Sequence, residues 1–462
     1  MNWKEDYQSK LISVEEATKL IKSGDHLTMS PGGSCPVDFM VKLAERSEEL
    51  ENVTVTSGLL FTPLPHLYRK CRGHINHHSV FVGPLERFFL GEENIEITSY
   101  HFSQTDHLLA KVVAPNVVVW EVSPPNEKGY MSYGPLGTFA NDVSRSVRCE
   151  KIICQVNPKT PWISGTCSHI HVSEVDHICE AEHDLAEAPY MAPGEDEKII
   201  ASYICDLIPD GSCIQLGVGK IPNAVGEALI KKTDLGVHTE MLSECMIDLC
   251  LKGVVNNSRK TLHPFKTIAG AAVGTRALYE FIDHNPTIDF YPISYVNNPL
   301  NLAKIDDFMS INSALTVDLT GQVCSETIGY SQYSGTGGQV DFVRGSNYSK
   351  GGKSFIALNS VSGAKKGNPK TRIVNALSPG TIVTTPRTDV EYIITEQGVV
   401  NLKNKSIEYR VNAMIDIAHP DFRDQLRDEA TEVGLLRKNF RPAWTPAEDI
   451  VKNQALKEVV NG

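Results

Sequence analysis

The eleven cysteines of this 462-residue chain include no C-x-x-C pair. The closest pairs, Cys149/Cys154 and Cys245/Cys250, fit neither a zinc knuckle nor a disulfide framework. No apolar run approaches the roughly eighteen residues of a membrane span, and the opening MNWKEDYQSKLISVEEATKLI lacks an apolar core of signal-peptide length. A cytoplasmic setting is expected. Basic clusters longer than a dipeptide are missing too, and 44 Lys and Arg against 56 Asp and Glu leave a formal net charge of -12. Nucleic acid and anionic membrane are therefore not expected partners.

What is present is an ordinary globular composition, 41% hydrophobic and 22% charged, in a chain too long for one core. Helical periodicity in ISVEEATKLIKSG and PVDFMVKLAERSEEL alternates with short apolar runs such as NVTVTS, NVVVWEVS and KIICQVN. That alternation predicts an α/β architecture with largely parallel sheets, and two related open α/β domains with the active site at their interface are expected. EAEHDLAEAPYMAPGEDEK, with two prolines, a glycine and many acids, reads as the linker, which gives domains over 1–185 and 195–462. His169, His171, His177 and Cys179 in SHIHVSEVDHICE have metal-ligand chemistry, but IHV alternates like a strand, so no metal site is expected there.

The two halves carry a faint repeat. GDHLTMSPGGSCPVDFMVKLAERSEELENVTVTSG and GSCIQLGVGKIPNAVGEALIKKTDLGVHTEML each run strand, glycine-rich turn, helix, strand, with Pro36 and Pro222 at the helix starts. Where the second strand ends, the first copy has Ser57 and Gly58, and the second has Thr239 and Glu240. Only the second copy carries a carboxylate.

Gly217, Val218, Gly219, Lys220 and Ile221 form a turn whose backbone N–H groups, at a helix N-terminus, suit an anion or a developing oxyanion. A dinucleotide fingerprint is the rival reading, but Asn223 replaces its third glycine. A plain strand-to-helix turn is the other. Met241, Leu242, Met246, Ile247, Leu249 and Leu251 recur at helical spacing, which places Glu240 at a helix start where the dipole favours its ionised form. A second cluster, Gly335, Gly337 and Gly338, precedes Lys350 and Lys353, lysines suited to a phosphate.

LGVGKIPNAV, HTEMLSECMIDL, SGTGGQVDF, SKGGKS and ITEQGVVNLKNKSIEYRVNAMIDIAHPDFRDQL, in that order, resemble the acetyl-CoA hydrolase/transferase branch of class I CoA-transferases, especially the 4-hydroxybutyrate and butyrate:acetate CoA-transferases. In the first half VSPPNEKGYMSYG and QVNPKTPWISGTCSHIHVSEVDHICE add to the resemblance, which spans nearly the whole chain. It implies a short-chain acyl-CoA:carboxylate CoA-transferase acting by a ping-pong route. Glu240 attacks the thioester, backbone N–H groups of Val218 and Gly338 hold the oxyanion, and Gly217 to Ile221, Gly335, Gly337, Gly338 and Lys350 contact CoA. CoA is then a substrate and covalent intermediate, no tightly bound cofactor or metal is expected, and the partners are acyl-CoA and short-chain carboxylates. A homo-oligomer is expected. An acyl-CoA hydrolase of the same branch and a non-catalytic CoA-binding paralogue are the alternatives. Among rival residues, Glu396 repeats the Thr-Glu pattern, Glu244 reads as an exposed helix acid, and His238 as a strand residue.

Overall fold

Valine-rich runs flanked by turn residues become the strands of two sheets in the computed structural model, which describes residues 2–364 and 367–437. The part of the 195–462 expectation beyond 437 lies outside the described residues. The first sheet contains β1 (His26–Met29), β2 (Val53–Ser57), β3 (Ile75–Ser79), β4 (Ile95–Ile97), β5 (Val117–Val122), β6 (Lys151–Val156) and β7 (His177–Glu180). The second contains β8 (Cys213–Leu216), β9 (Gly236–Leu242), β10 (Thr267–Ala272), β11 (Ile288–Phe290), β12 (Phe308–Ser313), β13 (Lys353–Ala357), β14 (Tyr392–Thr395) and β15 (Gly398–Asn401). Strand order is β4-β3-β2-β1-β5-β6-β7 in one and β11-β10-β9-β8-β12-β13-β14-β15 in the other. The second order repeats the first, strand for strand, with β15 added as an antiparallel hairpin partner of β14. All other pairings in both sheets are parallel, as strands buried on both faces require.

Burial follows the strand period of two. On β5, all of VVVWEV is buried: Val117 and Val119 join Leu27, Met29, Val53 and Val55 on one face, while Val118, Trp120 and Val122 join Leu108, Tyr133 and Phe139 on the other. Each fully buried valine contributes about 1.5–3 kcal/mol relative to exposure, so the alternation fixes which face each residue takes. In the second sheet Val237, Ile214, Met309 and Phe355 share one face, while Ile268 and Phe308 pack on the other.

The chain leaves each sheet's first strand in one direction and returns on the other side of it, so β1 and β8 each lie at a topological switch, where ligands bind beyond the carboxyl ends of strands. Between the sheets, Ala181–Gly194 has no helix or strand, and the next helix begins at Glu195, inside the stretch expected to be linker. The crossing is pinned at both ends. His183 bridges Asp38 at 2.7 Å and the buried Glu121 at 2.9 Å, while Tyr279 donates to the Ala186 carbonyl at 3.0 Å. Among the described residues no helix is long and apolar enough to cross a membrane.

Candidate active site

Glu240 lies within β9, not at a helix start as its sequence context suggested; the following helix begins only at Cys245. Met241 and Leu242 complete the strand, so the apparent helical run combined the end of β9 with the helix Cys245–Leu251. The residue opposite Glu240 on β10 is Gly270. A Cβ there would stand 3.0 Å from the Glu240 carbonyl oxygen and 3.1 Å from Ile293, so glycine lets the two strands and the helix Ile293–Val296 converge.

That helix ends at Asn297, which is fully buried and donates its side-chain N–H to Glu240 Oε2 at 2.5 Å. The Gly338 backbone N–H addresses the same carboxylate from the start of the helix Gln339–Tyr348, where the dipole is positive. Burial outweighs both donors. It raises the Glu240 carboxyl to about 7, with Asn297 and Gly338 pulling it down and the nearby Asp341 pushing it up. The dipole stabilisation expected from a helix start does not apply, because no helix begins at Glu240. Asp341 is itself buried and accepts from the Ser103 N–H at 2.9 Å and hydroxyl at 2.7 Å.

The second glycine cluster comes to Glu240. An added Cβ on Gly338 would lie 2.1 Å from Glu240 Oε2 and 2.2 Å from Asn297 Nδ2, so a side chain cannot occupy that position. Gly335 and Gly337 pack on Phe81 of the first half, where the Phe102 N–H donates to the Gly337 carbonyl at 3.3 Å. Arg87 donates to the Tyr333 carbonyl and lies 3.9 Å over its ring. The first half thus holds the loop that presents Gly338.

The first glycine turn leaves β8 at the same edge, on the strand beside Glu240, where Thr239 donates to the Leu216 carbonyl at 3.3 Å. Gly217 is fixed by its N–H to the Ile311 carbonyl at 3.1 Å, Val218 is 51% exposed, and Lys220 is exposed. Gly219 takes φ +130 before the helix Lys220–Ala228, which begins with Lys220 and buries Ile221. Lys350 does not join them. It sits at the amino edge of the second sheet, its carbonyl bonded to the Asp307 N–H just before β12 and its ammonium 3.6 Å from Asp306.

Glu396 turns the β14–β15 hairpin and accepts from the Ser360 N–H at 2.9 Å and from the Ser360 hydroxyl. Glu244 is not the exposed helix acid its spacing suggested: it is half-buried just before the helix that follows β9 and makes no side-chain hydrogen bond to that helix's first turn. His238 is buried, donates through Nε2 to the Val296 carbonyl at 2.9 Å, and is held neutral by burial, its pKa lowered to about 3. Sequence reasoning missed Asn297, Ser103 and Asp341. Asp341 stood inside the quoted SGTGGQVDF, but nothing in YVNNPL ties Asn297 to a carboxylate 57 positions away. Below Glu240 the two halves enclose a cavity of about 60 Å³ with walls from Thr28, Phe81, Tyr100, Phe139 and Ile293.

Residues 1–187 match the model of the acetyl-CoA hydrolase/transferase N-terminal domain, and residues 274–430 that of the acetyl-CoA hydrolase/transferase C-terminal domain. The chain is 42% identical to the succinyl-CoA:cyclohexane-1-carboxylate CoA transferase of Geobacter metallireducens, over 94% of this chain and 98% of that one. It is 38% identical to the 4-hydroxybutyrate coenzyme A transferase of Clostridium kluyveri, over 93% and 99%. The crystal structure of RipA from Yersinia pestis superposes with a TM-score of 0.89 at 36% identity, covering 94% of this chain and all of that one.

Proposed function

Since the chain belongs to the acetyl-CoA hydrolase/transferase family and is an enzyme that transfers CoA, we propose that it exchanges CoA between short-chain acyl-CoA and free carboxylic acids of the acetate, butyrate and 4-hydroxybutyrate type, with Glu240 as the nucleophile. One observation carries this reading: a partly accessible carboxylate beside an apolar cavity, with Asn297 and Gly338 both donating to it.

The ionised Glu240 oxygen attacks the thioester carbonyl, the C–S bond breaks, and CoA leaves as thiolate from an acyl-glutamyl anhydride. The thiolate then attacks the glutamyl carbonyl and expels the first carboxylate, leaving a glutamyl-CoA thioester. A second carboxylate reverses both steps. No net proton is taken up, so no general base is needed. Asn297 already donates to Glu240 Oε2 and the Gly338 N–H to the same carboxylate, which gains negative charge whenever the glutamyl carbonyl is attacked. Gly338 therefore serves the enzyme's own carbonyl, and Val218 serves the substrate's. The segment from Gly217 to Ile221 carries CoA alongside Gly335, Gly337 and Gly338, and Lys350 has no part.

The two sheets, one ending at Glu180 and the other beginning at Cys213, support domains divided between residues 185 and 195. The eleven free cysteines, most of them buried, fit a cytoplasmic enzyme. A homo-oligomer without a tightly bound cofactor completes the proposal.

Incubation with acyl-CoA alone should attach CoA to Glu240, visible by intact mass. Borohydride should then inactivate the charged enzyme, and acetate added first should protect it. No adduct, together with intersecting instead of parallel initial-rate plots, would show direct transfer in a ternary complex. Because only the ionised form attacks, kcat/KM should rise with pH and level off above an apparent pKa near 7. A profile already flat between about pH 5.5 and 8 would contradict a nucleophile with this raised value.

A further inference from the structure

We propose that residues 102–107 of the first half act as a yoke that sets the two donors on Glu240, Asn297 and Gly338, with Ser103 and Asp106 as positioning residues, an inference that rests on Glu240 being the nucleophile. Two serine and aspartate pairs, running in opposite directions across the boundary between the halves, carry it.

The consecutive turns Phe102–Gln104 and Thr105–His107 pack against the turn Ile293–Val296. Ser103 reaches into the second half, giving its N–H and its hydroxyl to Asp341 at 2.9 and 2.7 Å. Asp341 lies in the first turn of the helix that begins just after Gly338, and the Phe102 N–H holds the Gly337 carbonyl at 3.3 Å. The Gly338 donor is therefore gripped on both sides. Three residues beyond Ser103 the polarity reverses, and Asp106 accepts from the Ser294 hydroxyl, 188 positions away. Ser294 stands three residues, close to one turn, before Asn297, whose N–H bonds the Ile293 carbonyl at 2.9 Å and whose side chain donates to Glu240. The Asn297 donor is gripped as well. His238 also holds that turn, donating to the Val296 carbonyl at 2.9 Å.

Both grips close on carboxylates that burial disfavours. Burial raises the Asp106 carboxyl to about 6, Ser294 pulls it down and Asp142 pushes it up, so the hydroxyl compensates a carboxylate whose charged neighbour is another acid. Its Oδ1 is buried without a hydrogen-bond partner, which makes the bond from Ser294 to the other oxygen costlier to lose. Tyr100 and Cys167 are the other titratable groups around it. Burial likewise raises Asp341, while Ser103, His101 and Arg344 lower it. Glu240 itself faces Asp341 and Tyr100. The two serine hydroxyls carry no charge and bond to the aspartates, not to Glu240. Removing one acts on Glu240 by moving a donor, and the sign separates this from a charge effect. A lost donor raises the Glu240 carboxyl, whereas an aspartate that protonates more readily lowers it.

The test uses Ser103→Ala and Ser294→Ala in the full chain, with Ser103→Thr and Ser294→Thr as the conservative partners. Each alanine variant should lower kcat by about tenfold, short of the roughly 10²–10³-fold for a donor removed outright, and leave the acyl-CoA KM within about twofold. The midpoint of the kcat/KM profile should move up from about 7 by roughly half a pH unit, while the threonine variants keep the wild-type midpoint. Unchanged kcat and midpoint, a midpoint that falls, a loss confined to KM, or threonine variants that behave like the alanine ones would overturn the proposal. Should an alanine variant not fold, the cysteine variant at that position, similar in size but a weak donor, is read by the same midpoint. Glu240 is intact in all of them, so acyl-CoA should still attach CoA, visible by intact mass. An adduct with an unmoved midpoint removes only the yoke; a wild-type enzyme that forms no adduct loses the nucleophile as well.

Discussion

Glu240→Gln should lower exchange of labelled acetate into acetyl-CoA by about 10⁴-fold or more, while making the protein more stable at pH 8. Glutamine keeps the size of the side chain but cannot attack a thioester. The stability gain follows from the sign of the shift. The Glu240 carboxyl is raised to about 7 from an ordinary value of 4.5, chiefly by burial, so the folded state holds its proton more tightly than the unfolded state. The stability linked to that proton is complete below about 4.5 and is lost as pH rises through about 7. Glutamine does not titrate, so the variant should match wild type near pH 5 and exceed it near pH 8 by roughly 1–3 kcal/mol. Denaturant midpoints at the two pH values measure this. Wild-type exchange in a folded variant would end the assignment. Glu396→Gln is the control, since Glu396 is held by Ser360 in a hairpin turn.

Gly338→Ala should reduce kcat by about 10²–10³-fold, the loss expected when an oxyanion donor is displaced. A methyl group there would meet Glu240 Oε2 at 2.1 Å and Asn297 Nδ2 at 2.2 Å, far inside contact distance. Asn297 cannot retreat easily, because it is buried and ends a helix packed beside β9 and β10. The carboxylate must turn away or the loop must lift, and either change separates nucleophile from donor. Gly219→Val makes the informative contrast. Its nearest neighbour is 3.9 Å from an added Cβ, but φ is +130, so the strain falls on the turn and the effect should appear in the acyl-CoA KM. Unchanged kcat in a folded Gly338→Ala variant would mean that the amide only ends a turn.

The alternating architecture and both glycine turns were legible in the sequence, because they depend on local period and local turn chemistry. Even there, the period misled where one element passed into the next. Met241 and Leu242 fit a helix when counted with Met246 and Leu249, yet they are strand residues whose apolar run was too short to reveal its own period. The partners of Glu240 were less accessible. Asn297 reaches it across 57 positions, and Ser103 meets Asp341 across 238. Such contacts follow from how the two halves pack, which the residue types alone do not specify. Lys350 was misplaced for a related reason, since nearness in sequence to Gly338 did not show that an intervening helix carries the chain to the other edge of the sheet.

The matching strand orders set the two halves up for a division of labour. In one copy the strand after the glycine turn carries the Glu240 carboxylate, while in the other its counterpart ends in Ser57 and Gly58, which face the cavity. Substitutions at Ser57 or Gly58 should therefore reshape the cavity while leaving the Glu240 side chain in place.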